Sequence, residues 1–299
     1  MVWGPGTLYG DYLFGTEGAR GMDKQEEKAA ERFTASGFIL SAIGSSVGLG
    51  NMWKFPYITG KYGGAAFFLL FICCLIVVGL PVLLAEMTIG RGGRGSASKA
   101  FYHLSGSRFW SAFGLFSVLT AFLIMAYYAV VAGWTLHYMA ESFSGLLFRG
   151  NPDFKQKFVS FAAGYWPLLW QAVIMLACGA VIAKGVAGGI ERFNKVLIPG
   201  FLIILVVLMV RSLTLRGAGE GVSFFLRPDF SRLNAESALV ALGHAFFSLS
   251  LGMGCMLTYG SYVRKEQSLG RASMAIGAGD LLYAFIAGLV IFPTVFSFG

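Results

Sequence analysis

The sequence predicts an all-α, polytopic membrane protein with two interrupted spans, and three observations carry that prediction. The 299 residues are 56% hydrophobic and only 13% charged, with a mean hydropathy of +0.69, too apolar for a soluble domain of this length. Long apolar runs recur at the ~20 residues that a helix needs to cross a hydrocarbon core. Two of these runs break on the same small-residue pattern, Ser46-Val47-Gly48-Leu49-Gly50 and Ser250-Leu251-Gly252-Met253-Gly254.

Taken in order, residues 1–21 are Gly-rich and aperiodic and read as a disordered or non-native extension. A charged leader opens at Met22, with no cleavable signal peptide before the first apolar run. Residues 22–299 read as one transmembrane domain of seven spans, at about 37–60, 64–89, 110–141, 165–183, 190–212, 236–262 and 276–298. Polar connections are expected at Arg91 to Arg108, Ser142 to Gly164, Lys184 to Lys195, Leu213 to Ala235 and Arg264 to Ala275. The leader and the first, third and fifth of these share one side and hold most of the lysines and arginines, which places the N-terminus in the cytoplasm. Seven spans put Gly299 outside, directly after an apolar run, so the chain reads as ending after a seventh helix.

Composition also excludes several functions. The formal charge of +8 comes from short loops that set orientation, so no nucleic acid is expected. Cys73, Cys74, Cys178 and Cys255 all fall inside apolar runs, as core residues rather than zinc ligands or disulfides. No nucleophile stands with a base, so neither an enzyme nor an organic cofactor is expected.

The interruptions carry the chemistry. Gly44, Gly48 and Gly50 each lower helix propensity by ~1 kcal/mol relative to alanine. Unwinding near 46–50 would free the amides of Leu49, Gly50 and Asn51, a partial positive charge that suits a carboxylate. It would also bare the carbonyls of Gly44, Ser46 and Val47, and oxygen clusters suit hard cations such as sodium. For one segment alone, a small-residue packing groove accounts for the glycines as well. Recurrence of Ser-x-Gly-x-Gly in the sixth span favours a paired binding site lining a cavity at membrane depth. Asp280 lies inside the seventh span, where a carboxylate costs ~2.5–3.5 kcal/mol and so faces a cavity and a partner, or else sits hydrated near the helix entrance.

Gly44 to Pro56, read as GSSVGLGNMWKFP, closely resembles the first-helix signature of the neurotransmitter:sodium symporters. Pro81 to Gly92, with Glu86, resembles their second helix. Phe246 to Gly254 with Tyr259, Ser261 and Tyr262 resembles their sixth. The resemblance implies an inverted-repeat transporter fold with helices 1 and 6 broken, helices 1–5 forming the first repeat and helices 6–7 opening the second. It implies that the Leu49 and Gly50 amides and the Tyr128 hydroxyl hold a substrate carboxylate. The amine would face the carbonyls of Ser46, Phe247 and Ser248 and the hydroxyl of Ser250. One sodium ion would touch the Ser46 carbonyl, Asn51, Ser248, Asp280 and the substrate carboxylate. A second would use the Gly44 and Val47 carbonyls, with its other ligands on an eighth helix that this sequence does not contain.

In the same resemblance Ile124, Tyr128, Phe247 and Met253 shape a side-chain pocket for a hydrophobic amino acid. Phe71 and Ala284 stand where chloride-dependent relatives have hydroxyls, so chloride is not expected. Glu86 is expected to support the unwound sixth helix and His244 to be a packed polar residue. Lys54 occupies an outer-gate position, and the leader around Arg32 and Phe33 departs from the family's inner-gate pattern. The expected function is sodium-coupled symport of a neutral, hydrophobic amino acid by alternating access in the plasma membrane, with sodium, the amino acid and the bilayer as partners. The alternatives are an inactive or assembly-only symporter fragment and a seven-helix receptor; the second does not account for the matched breaks. Oligomeric state is not legible, because lipid-facing and partner-facing surfaces look alike.

Overall fold

A computed structural model of the protein describes residues 32–150 and 153–298, so the proposed extension and most of the leader lie outside the described residues. The helices are, in chain order, α1 (Ala35–Ser46), α2 (Phe55–Lys61), α3 (Ala65–Gly93), α4 (Ala97–Ser105), α5 (Arg108–Phe143) and α6 (Phe154–Ala162). There follow α7 (Trp166–Ile182), α8 (Val186–Leu213), α9 (Ala218–Leu226), α10 (Ala235–Ser248), α11 (Cys255–Ser261) and α12 (Leu269–Phe298). No strand occurs among the described residues.

Each predicted span corresponds to helix. Four are continuous and long and apolar enough to cross a bilayer, namely α3, α5, α8 and α12. The fourth predicted span is α7, preceded by α6 at a bend of 74°. The first is split into α1 and α2 around Val47 to Leu49 and a π-helical turn at Gly50–Lys54, and the sixth into α10 and α11. The protein is an integral membrane protein.

Two connections are shorter than expected because local periodicity overrides polarity. The stretch Arg264 to Ala275 is not all loop: α12 begins at Leu269, with Leu269, Ala272, Ser273 and Ile276 buried on one helical face and Arg271 exposed on the other. Lys184 to Lys195 is mostly helix, since α8 starts at Val186 with a π-helical turn over Val186–Glu191. The remaining long connections hold the short helices α4, α6 and α9, each of nine residues and too brief to register as spans.

The core lies where α3, α11 and α12 meet. Phe55, Phe71, Leu75, Leu83, Met87, Leu249, Met256 and Ile276 are all but fully enclosed there. In lipid no hydrophobic difference drives helices together, so close backbone approach does more of the work. A Cβ on Gly90 would collide with the Leu257 carbonyl, and one on Gly260 with the Met87 carbonyl, so the α3–α11 contact is built on missing side chains. By contrast α5, α7 and α8 expose most of their leucines, valines and phenylalanines, the surface expected toward acyl chains.

Candidate functional site

The site begins where α1 stops. Val47 turns to extended backbone (φ −90°, ψ 109°), and its amide donates to the Ile43 carbonyl at 2.7 Å. The carbonyls of Gly44, Ser46 and Val47 have no hydrogen-bond donor among the described residues. Leu49 donates its amide to Tyr128 Oη at 2.9 Å. The Asn51 amide, expected to be free, instead closes a turn onto the Gly48 carbonyl at 3.1 Å, because the chain re-enters helix at once through the π-helical turn.

The sixth break is built differently. Ser250, Gly252 and Gly254 have φ of +55°, +77° and +74°. The Phe247 and Phe246 carbonyls accept from the Ser250 and Leu251 amides at 3.1 and 2.9 Å, leaving Phe247 a second lone pair for any incoming amine. Glu86 Oε1 accepts the Gly252 amide at 2.6 Å, the supporting role expected of it. A non-glycine residue in the left-handed region costs ~1–2 kcal/mol. At Ser250 that cost is offset by a bridge to the first break, in which its hydroxyl donates to the Ser45 carbonyl at 2.9 Å and accepts from Ser45 Oγ at 3.1 Å. The Ser250 hydroxyl therefore points at Ser45, a residue that sequence reasoning does not single out.

Between the breaks lies a buried polar cluster. Asp280 Oδ1 accepts from Asn51 Nδ2 at 2.9 Å and from Ser248 Oγ at 2.6 Å, and all three residues are at most 2% exposed. Asp280 lies inside α12 and is fully buried rather than at a helix end, and its Oδ2 has no partner among the described residues. An uncompensated buried carboxylate costs several kcal/mol. Carboxylate, amide and hydroxyl oxygens beside bare main-chain carbonyls make the donor set of a hard cation. Its single formal charge suits a monovalent ion.

Beside this cluster the Tyr128 and Phe247 rings meet edge to face, with centroids 6.4 Å apart. Both lie close against the first break: a Cβ on Gly48 would stand 2.9 Å from Tyr128 Oη, and one on Gly50 2.9 Å from Phe247 Cε1. Lys54 Nζ sits 4.8 Å from the Phe247 ring centroid, a cation–π contact between the two breaks. Ile124 lies one turn before Tyr128 on α5 and is half-buried, as is Met253 in the sixth break. His244 packs between Phe55 and Phe71 with ring centroids 5.7 and 4.9 Å away, and Phe71 and Ala284 are fully buried.

A second polar cluster lies beyond what the sequence reading anticipates. Glu191, 4% exposed, accepts from the Thr34 amide at 2.9 Å, from Thr34 Oγ1 at 2.6 Å and from Lys195 Nζ at 2.5 Å. Thr34 is the N-cap of α1, so α8 grips the N-terminal end of the first broken span. The signals for it in the sequence are a threonine before an apolar run and one acid in a basic connection.

Comparison with known proteins gives a consistent picture. The model of the family described as "Sodium:neurotransmitter symporter family" matches residues 31–157 and 153–298. The uncharacterized sodium-dependent transporter YhdH of Bacillus subtilis is 40% identical over 92% of this chain and 61% of its own. An uncharacterized sodium-dependent transporter of Haemophilus influenzae is 36% identical over 93% and 63%. Among solved structures, that of MhsT in complex with L-phenylalanine superposes with a TM-score of 0.84 at 44% identity, covering 90% of this chain and 62% of that one. The chain thus spans about three fifths of the length of the relatives it matches.

Proposed function

This chain belongs to the sodium:neurotransmitter symporter family, and on that premise we propose that it serves sodium-coupled symport of a neutral, hydrophobic amino acid by alternating access. The observation that carries the reading is the juxtaposition of the bare carbonyls of the first break with the Asn51–Ser248–Asp280 cluster and the Tyr128–Phe247 ring pair. In this reading the substrate carboxylate enters between Leu49, Gly50 and Tyr128, taking the Leu49 amide from the tyrosine oxygen and leaving the phenol to donate. The amine meets the Ser46, Phe247 and Ser248 carbonyls, with Ser250 adjoining. The side chain lies among Ile124, Tyr128, Phe247 and Met253. One sodium ion joins Ser46, Asn51, Ser248 and Asp280 to the substrate carboxylate, so that ion and amino acid enter together. The Gly44 and Val47 carbonyls begin a second sodium site.

Each positive charge carried inward gains ~2.3 kcal/mol per 100 mV. A hydrophobic substrate agrees with the phenylalanine in the MhsT complex. Phe71 and Ala284 offer chloride no hydroxyl, and the reading is chloride-independent. Residues 22–299 form one transporter domain in the plasma membrane with its N-terminus cytoplasmic, α1 to α8 being the first repeat and α10 to α12 the opening of the second.

The test is equilibrium binding of radiolabelled phenylalanine and leucine to the purified chain in sodium, and with sodium replaced by potassium. Saturable binding that needs sodium and survives replacement of chloride by gluconate is expected. Binding indifferent to sodium, or glycine or glutamate outcompeting phenylalanine, sinks the reading.

A further inference from the structure

At the end of the molecule that holds the α1 N-cap, a cavity of about 260 Å³ opens between the end of α7 and the start of α8. Val181, Phe193, Val196 and Leu197 give it an apolar wall, and Lys184 and Arg192 flank it. No acidic side chain lines it, and neither cation forms a salt bridge among the described residues. Glu191, next in sequence to Arg192, is committed to Thr34 and Lys195.

The backbone adds to the positive field. α8, a 28-residue helix, begins after Gly185 with no side-chain cap, and Gly188 and Gly189 of its first turn line the cavity. Gly188, in the cavity wall, has open space where a Cβ would be. Phe193 and Val196 are 50% and 74% exposed, which carries the apolar wall out onto the lipid-facing surface of α8.

We infer that this cavity binds one anionic phospholipid, its phosphate between Lys184, Arg192 and the uncapped start of α8, and its upper acyl chain along Phe193, Val196 and Leu197. Charge complementarity selects the occupant: two cations and a helix N-terminus at one end require an anion, and an apolar wall leading to the bilayer requires a chain attached to it. A basic pocket between spans on the cytoplasmic side is the general form of such a site. The π-helical turn that forms the cavity also carries Glu191 to the α1 N-cap, so the lipid would sit on the element that grips the first broken span.

The test is native mass spectrometry of the full chain in detergent, titrated with phosphatidylglycerol, with phosphatidylcholine of the same acyl chains, and with glycerol 3-phosphate. One phosphatidylglycerol is expected to be retained in preference to phosphatidylcholine, with glycerol 3-phosphate not retained. Lys184→Gln and Arg192→Gln should each weaken retention about fivefold, the equivalent of the ~1 kcal/mol that a basic residue contributes near an anionic surface. The charge-keeping pair Lys184→Arg and Arg192→Lys should retain the lipid, which separates lost charge from lost folding. Gly188→Phe, which fills the cavity and keeps both charges, should lose it. Equal retention of both lipids, or neutral variants that bind like the parent, overturns the proposal. Retention of glycerol 3-phosphate as tightly as the lipid also overturns it, leaving a simple anion site.

Discussion

The two broken spans solve one problem in opposite ways. In the first, the chain leaves helix for three residues without entering the left-handed region, and it re-forms helix through a π-helical turn. In the sixth, six residues intervene between α10 and α11, three of them left-handed, and a glutamate from α3 holds the middle amide. The first break is a local stop that bares carbonyls; the sixth is a strained loop that stands only because neighbouring elements support it. On the proposed reading, the ligand contacts would come mainly from the first break and their positional control from the sixth.

The largest test of that division removes the charge both breaks share. Asp280→Asn keeps the shape of the cluster, and sodium affinity is expected to fall at least about 100-fold, or ~2.7 kcal/mol. Unchanged sodium dependence of phenylalanine binding would place the ion elsewhere.

Next in size, Glu86→Ala removes the acceptor of the part-buried Gly252 amide bond and should lower stability by about 1.5–3 kcal/mol, the range for a hydrogen bond to a carboxylate. The matching change in the first break, Ser46→Ala, loses only a hydroxyl bond back to the Ala42 carbonyl at 3.1 Å. It should cost under about 0.5 kcal/mol. Thermal unfolding of the two variants side by side checks the asymmetry, and equal losses would erase it.

Glycine substitutions sharpen the same contrast. Gly252→Ala, at φ +77°, should cost ~1–2 kcal/mol of stability. Gly48→Ala should leave the melting temperature nearly unchanged and weaken substrate binding about tenfold by displacing Tyr128 Oη, a difference of ~1.4 kcal/mol. Binding isotherms together with melting curves separate the two.

The smallest effect on substrate binding is expected at the bridge. Ser45→Ala removes one side of the Ser45–Ser250 pair and should weaken phenylalanine binding about fivefold, ~1 kcal/mol. A larger loss than that of Gly48→Ala would mean that the bridge, rather than the tyrosine, positions the substrate.

The breaks are legible in the sequence because a glycine cluster inside an apolar run either packs a helix closely or unwinds it, and recurrence at two matched places selects unwinding. Asp280 is legible because a lone carboxylate in a span needs a partner. Tyr128 and Phe247 are placed by family resemblance; nothing in their local sequence separates them from the many neighbouring aromatics. Ser45 is hidden by its neighbour Ser46, because the choice between two adjacent serines depends on which one faces the loop before α11. The Glu191–Thr34 contact joins residues 157 apart, so the threonine before α1 and the lone acid of a basic connection are each visible while their pairing is not. The start of α12 is hard to place because Ser268 and Arg271 look like loop residues until the buried face of Leu269, Ala272 and Ile276 is seen beside them.

The Asn51–Asp280 hydrogen bond joins residues 229 apart, and the Asn51–Ser248 contact spans 197. At roughly 5–20 residues per second of synthesis, some 10–45 s pass between the emergence of Asn51 and that of Asp280. Throughout that interval the first broken span is already made while the partners of its asparagine are not. A hydrophobic segment with bare carbonyls and an amide side chain must therefore be sheltered by water or by the insertion machinery until α12 arrives. On the proposed reading, the feature that would hold an ion is also the one that leaves the nascent span without its partners while α12 is still to come.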